Sequence, residues 1–264
     1  MCGIVGVTGT DKSLSILIDG LKRLEYRGYD SAGVYVNDQQ GHDYLVKRPG
    51  RIANLEAALG EEVHGLAGIG HTRWATHGDP SEENAHPHKS VDGNVIPVHN
   101  GIIENYQELK DKLLHKGYQF YSSTDTEAAV KLIDYYYKKY EGTPVDALSH
   151  AMVRIRGSYA LAVMFQDYPE EIYVARKDSP MILGVSDGES YLASDVPAIL
   201  KYTRQVYYIG NLEIARLQKG NITFYNLDGE ELQKELKEIQ WDAESAEKAG
   251  FEHFMMKEIH EQPK

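Results

Sequence analysis

Met1-Cys2-Gly3-Ile4-Val5-Gly6 holds the only cysteine among 264 residues, set against the short apolar run Gly3 to Val7. Once Met1 is trimmed, the Cys2 thiol and a free α-amine share one residue, so nucleophile and base come together. An α-amine titrates near 7.7 to 8.0, which leaves a useful fraction unprotonated near neutrality to take the thiol proton. An unremoved Met1 or an acetyl group turns that amine into an amide, so processing is a condition of activity.

Outward from this stretch, Leu14, Leu17, Leu21 and Leu24 recur at helical spacing, widened by Ile16 and Ile18. A strand followed by a helix is expected. Ser31 to Val36, Asp43 to Val46 and Leu66 to Gly70 read as strands and Ile52 to Leu59 as a short helix. From Thr72 to Gly93 no period survives; Gly78, Asp79-Pro80, Asn84, Pro87 and Asp92-Gly93 make this a long ordered loop. Val95 to Val98 is short and β-branched, and Glu104 to Leu114 is helical. A second helix is expected from Asp125 to Tyr140, with Thr124-x-x-Glu127 as a capping-box signature, and a third after Pro144. The remainder reads as strands broken by turns at Asp167, Asp187-Gly188, Lys219-Gly220-Asn221 and Asp228-Gly229. Helices early, hairpins late and short neighbouring strands predict an α+β class with antiparallel pairing. Residues 1–240 form the expected domain; 241–264 changes to a charged character that reads as a linker and lead into a further domain.

A lone cysteine excludes an internal disulfide, and no cationic segment precedes an apolar one, so a cytoplasmic location is expected. Apolar runs such as Tyr159 to Phe165 fall far short of the roughly 20 residues that span a bilayer. The 28 basic against 40 acidic residues give a formal charge of −12, which repels phosphate backbones and speaks against nucleic acid. A small-molecule partner fits better.

Cys2-Gly3-Ile4-Val5-Gly6 is followed in order by Arg23-Leu24-Glu25-Tyr26-Arg27-Gly28-Tyr29-Asp30-Ser31-Ala32-Gly33 and His71-Thr72-Arg73-Trp74-Ala75-Thr76-His77-Gly78. Then come Asn84-Ala85-His86-Pro87-His88, His99-Asn100-Gly101 and Thr124-Asp125-Thr126-Glu127. The set resembles the glutaminase domain, a class II glutamine amidotransferase, of the glucosamine-6-phosphate synthase family, over essentially the whole chain. The resemblance implies an N-terminal-nucleophile hydrolase: a four-layer αββα sandwich of two mainly antiparallel sheets, with Cys2 forming a γ-glutamyl thioester and no cofactor. It also implies ammonia supply to a sugar isomerase domain acting on fructose 6-phosphate, and a homodimer for the full-length enzyme.

Glutamine brings an α-carboxylate, an α-ammonium and a side-chain amide. The resemblance gives Arg73 the carboxylate, which a planar guanidinium can hold through two parallel hydrogen bonds. Asp125 takes the ammonium, although an aspartate in a first helical turn is favoured by the macrodipole without any ligand. Asn100 and Gly101 match the oxyanion hole, against the alternative of an Asn-Gly hairpin turn, which the helical pattern after Gly101 weakens. By the same resemblance Thr76 and His77 line the glutamine pocket, Arg27 and Gly28 pack beside the nucleophile, and Trp74 gates ammonia, or else is a core aromatic.

Six of the eleven histidines fall between His64 and His99, with His86 and His88 at the same-face spacing of a strand. A zinc site lacks a helical HExxH, a cysteine pair or a carboxylate at motif spacing, so no metal is expected. Amidophosphoribosyltransferase, asparagine synthetase and glutamate synthase share the N-terminal cysteine and the Asn-Gly, but the runs Glu25 to Asp30 and Arg73 to His77 fit glucosamine synthase better. A non-catalytic glutamine-binding module, with Cys2 idle, is the rival from another class.

Overall fold

The computed structural model describes residues 2–38, 43–60, 63–240 and 254–262. Strand β1 (Gly3–Thr8) leads into helix α1 (Ser13–Leu24), whose buried Ile16, Leu17, Ile18, Leu21 and Leu24 are the face the spacing predicts. Strands β2 (Ser31–Asp38) and β3 (Asp43–Pro49), helix α2 (Ile52–Ala58) and strand β4 (Gly65–Arg73) follow. After a long loop come β5 (Val95–Gly101), α3 (Tyr106–Leu114), α4 (Asp125–Tyr140) and α5 (Pro144–Arg154). The strands then continue with β6 (Tyr159–Phe165), β7 (Tyr168–Lys177), β8 (Ile182–Ser186), β9 (Glu189–Ala193), β10 (Gln205–Tyr208), β11 (Glu213–Gln218) and β12 (Asn221–Tyr225). Two short strands, β13 (Glu231–Leu232) and β14 (Lys237–Glu238), and helix α6 (Phe254–Glu261) complete the described elements. Of the expected lead segment, 241–253 and 263–264 lie outside the described residues.

One sheet has eight strands in the order β14-β10-β8-β9-β1-β4-β2-β3 and the other six in the order β13-β12-β11-β7-β6-β5. The strand pairings within both are antiparallel. Residue alternation then assigns three cores. Along β6, Tyr159, Leu161, Val163 and Phe165 join Leu109, Ile133 and Leu148 of α3, α4 and α5. Their neighbours Ala160, Ala162 and Met164 turn the other way and meet Ile4 of β1 and Ile69 of β4 between the sheets. Val5 and Val7 of β1 pack against α1 and Ile52 and Leu55 of α2 on the far side. Helices, sheet, sheet, helices is the αββα order expected, and β6 is apolar throughout because both its faces are covered.

Two local expectations are corrected. The aperiodic loop begins later than Thr72, because β4 runs on to Arg73 between β1 and β2. Thr124 makes no capping contact at α4; its hydroxyl lies 3.0 Å from His88 Nε2 instead. Glu127 accepts from Tyr121 N and Ser122 N at 2.8 and 2.7 Å and pairs with buried Lys131 at 2.8 Å, so the turn before α4 and the next turn of the helix outcompete the box. A capping box does form at α5, between Thr143 and Asp146. His86 and His88 lie in the aperiodic loop, as expected, with a cis His86–Pro87 peptide between them.

Candidate active site

Cys2 stands just ahead of β1, a strand enclosed by β4 and β9, and the pairing of Gly3 with Thr72 sets it beside the end of β4. Trp74 N donates to Cys2 Sγ at 3.2 Å, and the thiol points back at Trp74 O at 3.6 Å. Burial pushes the thiol pKa up and the Asp30 charge adds to the rise, while the Trp74 amide and the Arg73 guanidinium oppose it. The resting sulfur is therefore a thiol, and its use as a nucleophile demands a base.

That close approach needs Gly28. A Cβ there would stand 2.7 Å from Arg73 C and 2.9 Å from Trp74 N. Asp30, two residues on, takes the Arg73 carbonyl on its own N–H at 3.2 Å and the Ala75 N–H on its carboxylate. Arg27 acts from the other side: its guanidinium reaches Ser194 O at 3.1 Å, and Ser194 brackets Ile4 of β1 with two hydrogen bonds of 3.0 Å.

From the second sheet, β5 ends at Asn100-Gly101. Asn100 Nδ2 donates to Cys2 O at 3.1 Å, and Oδ1 lies 3.1 Å from His71 Nε2. Gly101 holds φ +116°, a left-handed-side conformation in which a Cβ would run into Ser158 O, so no side chain fits and the chain leaves the sheet here. The next segment turns into α3, not into a returning strand, which removes the hairpin alternative.

Asp125 is buried at the first position of α4, where Ile103 N donates to Oδ2 at 2.7 Å and His77 Nδ1 stands 3.9 Å from Oδ1. Arg73 is 4% exposed and turned onto the following loop, donating to the carbonyls of His77, Gly78 (3.1 Å) and Asp79 (3.3 Å). Burial acts against its charge, and the Asp30 and Asp125 carboxylates sustain it. Thr76 Oγ1 lies 3.3 Å from His77 Nδ1, and the His77 ring meets Tyr106 edge-on. Trp74 is 50% exposed and edge-on to Tyr29, so it is no core aromatic.

All the sequence-expected residues therefore gather where β1 begins and β4 and β5 end, except that Arg27 works at one remove through Ser194. The sequence reading gave no role to Asp30 or His71. Both stood inside quoted runs, but neither run shows what the side chain meets, and the partners of His71 lie in the other sheet. His71, His86, His88 and His99 are buried, with pKa values driven down by burial, that of His71 to about 3. They serve as neutral hydrogen-bonding rings. Among the described residues no group of three or more His, Cys, Asp or Glu is arranged to hold a metal ion.

Residues 71–201 match the family described as glutamine amidotransferase domain. The whole chain is 52% identical to glutamine–fructose-6-phosphate aminotransferase (isomerizing) of Clostridium acetobutylicum, covering 43% of it. It is 51% identical to the protein of that name from Caldanaerobacter subterraneus subsp. tengcongensis, again covering 43%. The chain belongs to the class II glutamine amidotransferase domain family. This amidotransferase domain also superimposes on glutamine phosphoribosylpyrophosphate amidotransferase from B. subtilis with a TM-score of 0.73 at 26% identity, over 86% of this chain and 49% of that one. It spans less than half the length of these relatives.

Proposed function

We propose that this domain hydrolyses L-glutamine to glutamate and ammonia through a γ-glutamyl thioester on Cys2. The observation that carries the reading is the Asn100 amide, which sends Nδ2 to within 3.1 Å of the Cys2 carbonyl beside a half-buried thiol. An N–H donor so placed is what a tetrahedral oxyanion formed at Sγ requires.

With Met1 removed, the unprotonated α-amine of Cys2 takes the thiol proton as Sγ bonds to the side-chain carbonyl carbon of glutamine. The carbonyl π pair moves onto oxygen, where Asn100 Nδ2 and Gly101 N receive it. The α-ammonium returns its proton to the amide nitrogen, the C–N bond breaks and ammonia leaves. The amine then deprotonates a water that attacks the thioester; Sγ departs, recovers a proton, and glutamate is released. Arg73 holds the substrate carboxylate and Asp125, through Oδ1, its ammonium. Thr76 and His77 line the pocket, Arg27 and Gly28 fix the nucleophile's strand and its neighbour, and Trp74 gates the ammonia.

In the longer protein the segment from residue 241 leads to a sugar isomerase domain, where the ammonia converts fructose 6-phosphate to glucosamine 6-phosphate. Assembly as a homodimer and a cytoplasmic setting belong to that enzyme; among the described residues no helix is long and apolar enough to cross a membrane. Glutamate release from glutamine, measured on protein whose intact mass proves Met1 absent, tests the reading beside Cys2→Ala. Release by the parent and none by the variant is expected. Glutamine binding without turnover in the trimmed protein leaves a binding module instead.

A further inference from the structure

The Asn100 side chain has a difficulty built into it. Its amide is nearly symmetric in shape, so a half-turn about the last torsion exchanges Nδ2 for Oδ1. One orientation offers a donor to a developing oxyanion; the other offers a second oxygen and repels it. Something must break the symmetry.

We infer that His71 is a positioning residue for the hydrolysis, its Nε2–H holding the Asn100 amide in the orientation that presents Nδ2 beside Cys2. The inference rests on the reading of Asn100 as an oxyanion donor. Its geometry comes from two carbonyls that can only accept. His71 Nε2 lies 2.9 Å from His99 O and 3.1 Å from Asn100. The first contact forces a proton onto Nε2, and that proton obliges the Asn100 atom facing it to be oxygen. Nδ2 is thereby sent to the opposite side, where Cys2 O accepts from it at 3.1 Å.

The ring is itself held. It is fully buried in β4, stacked on His86 with centroids 4.2 Å apart, and His86 Nδ1 accepts from His99 N at 3.3 Å. His71 Nδ1 is buried with no partner among the described residues, which suits a bare nitrogen and not an N–H. Burial keeps the ring neutral, with its pKa lowered to about 3, so the single proton stays on Nε2 across the working range. His71 touches no substrate; it acts only through Asn100.

The test compares trimmed parent protein, Cys2→Ala, His71→Phe and His71→Gln by glutamate release across glutamine concentrations. Phe keeps the ring and loses the donor, while Gln restores an N–H at the position of Nε2. Expected for His71→Phe is a kcat lower by about 10- to 100-fold, short of the roughly 10²- to 10³-fold for deleting an oxyanion donor, with KM unchanged and much of the rate recovered in His71→Gln. Full kcat in His71→Phe, or a His71→Gln as slow as His71→Phe, overturns the inference. The ring ¹⁵N shifts of His71 in the parent protein decide it without any variant: a neutral Nε2–H tautomer supports it and Nδ1–H sinks it. No release by the parent, or equal release by Cys2→Ala, would instead refute the function on which the inference stands.

Discussion

Arg73 spends its hydrogen bonds on the loop that follows it. With three carbonyls of residues 77 to 79 on its guanidinium, it ties the chain beyond β4 into the cleft and leaves fewer N–H groups for a ligand. Arg73→Lys keeps the charge but offers one rounded donor cluster where a planar fork stood. We expect KM for glutamine to rise about 10- to 100-fold, the equivalent of a charge-assisted hydrogen bond of roughly 1.5 to 3 kcal/mol, with a smaller change in kcat. Steady-state kinetics of glutamate release checks this, and an unchanged KM would remove Arg73 from carboxylate binding. Cys2, Arg73, Asn100, Gly101 and Asp125 were legible because each lies in a motif long enough to be distinctive. His71 stands in the same run as Arg73, but its contact with Asn100 was not legible, because it arises only when β4 of one sheet and β5 of the other end side by side, a relation between residues 29 positions apart that no local pattern encodes.

Helix α4 starts beside the site and carries its support with it. Glu127 receives two backbone N–H groups and the Ser122 hydroxyl and pairs with Lys131, and both charged side chains are almost wholly buried. The turn at 121–122 is thus locked to the same helical turn that bears Asp125. Removing the acid orphans an ammonium and two amides, whereas removing the base leaves an acid that still has three donors. Glu127→Leu should therefore cost about 3 to 5 kcal/mol and Lys131→Met clearly less. Urea unfolding of both variants reads the order directly, and equal losses would contradict it. The Thr124-x-x-Glu127 spacing misled because a capping box is a local bargain, and here a buried lysine and a neighbouring turn offered the glutamate more. Helix α1 was legible for the opposite reason: its apolar period agrees with the layer that covers it.

Four neutral histidines, His71, His86, His88 and His99, are fully buried near the junction of the two sheets. Their folded pKa values lie below the ordinary value of about 6.5, so between those limits the unfolded chain binds more protons than the folded one. The stability they permit is complete above about pH 6.5 and falls as pH drops, by up to about 1.4 kcal/mol per pH unit for each. Melting temperature should decline steeply from pH 6.5 to 5, before most carboxylates titrate. A flat profile across that window would mean the rings are solvated or paired with acids. The layered order was expected from the family resemblance and not from any local pattern, and the strand neighbours of β1 were not legible locally either, since β4 and β9 lie far along the chain. That separation governs timing. At about 5 to 20 residues per second a ribosome needs roughly 10 to 40 s after Cys2 to deliver β9, and until then β1 cannot be enclosed. On the proposed mechanism, the α-amine has to be freed by trimming, and that interval, while β1 is still unpaired, gives soluble enzymes their opportunity to do it.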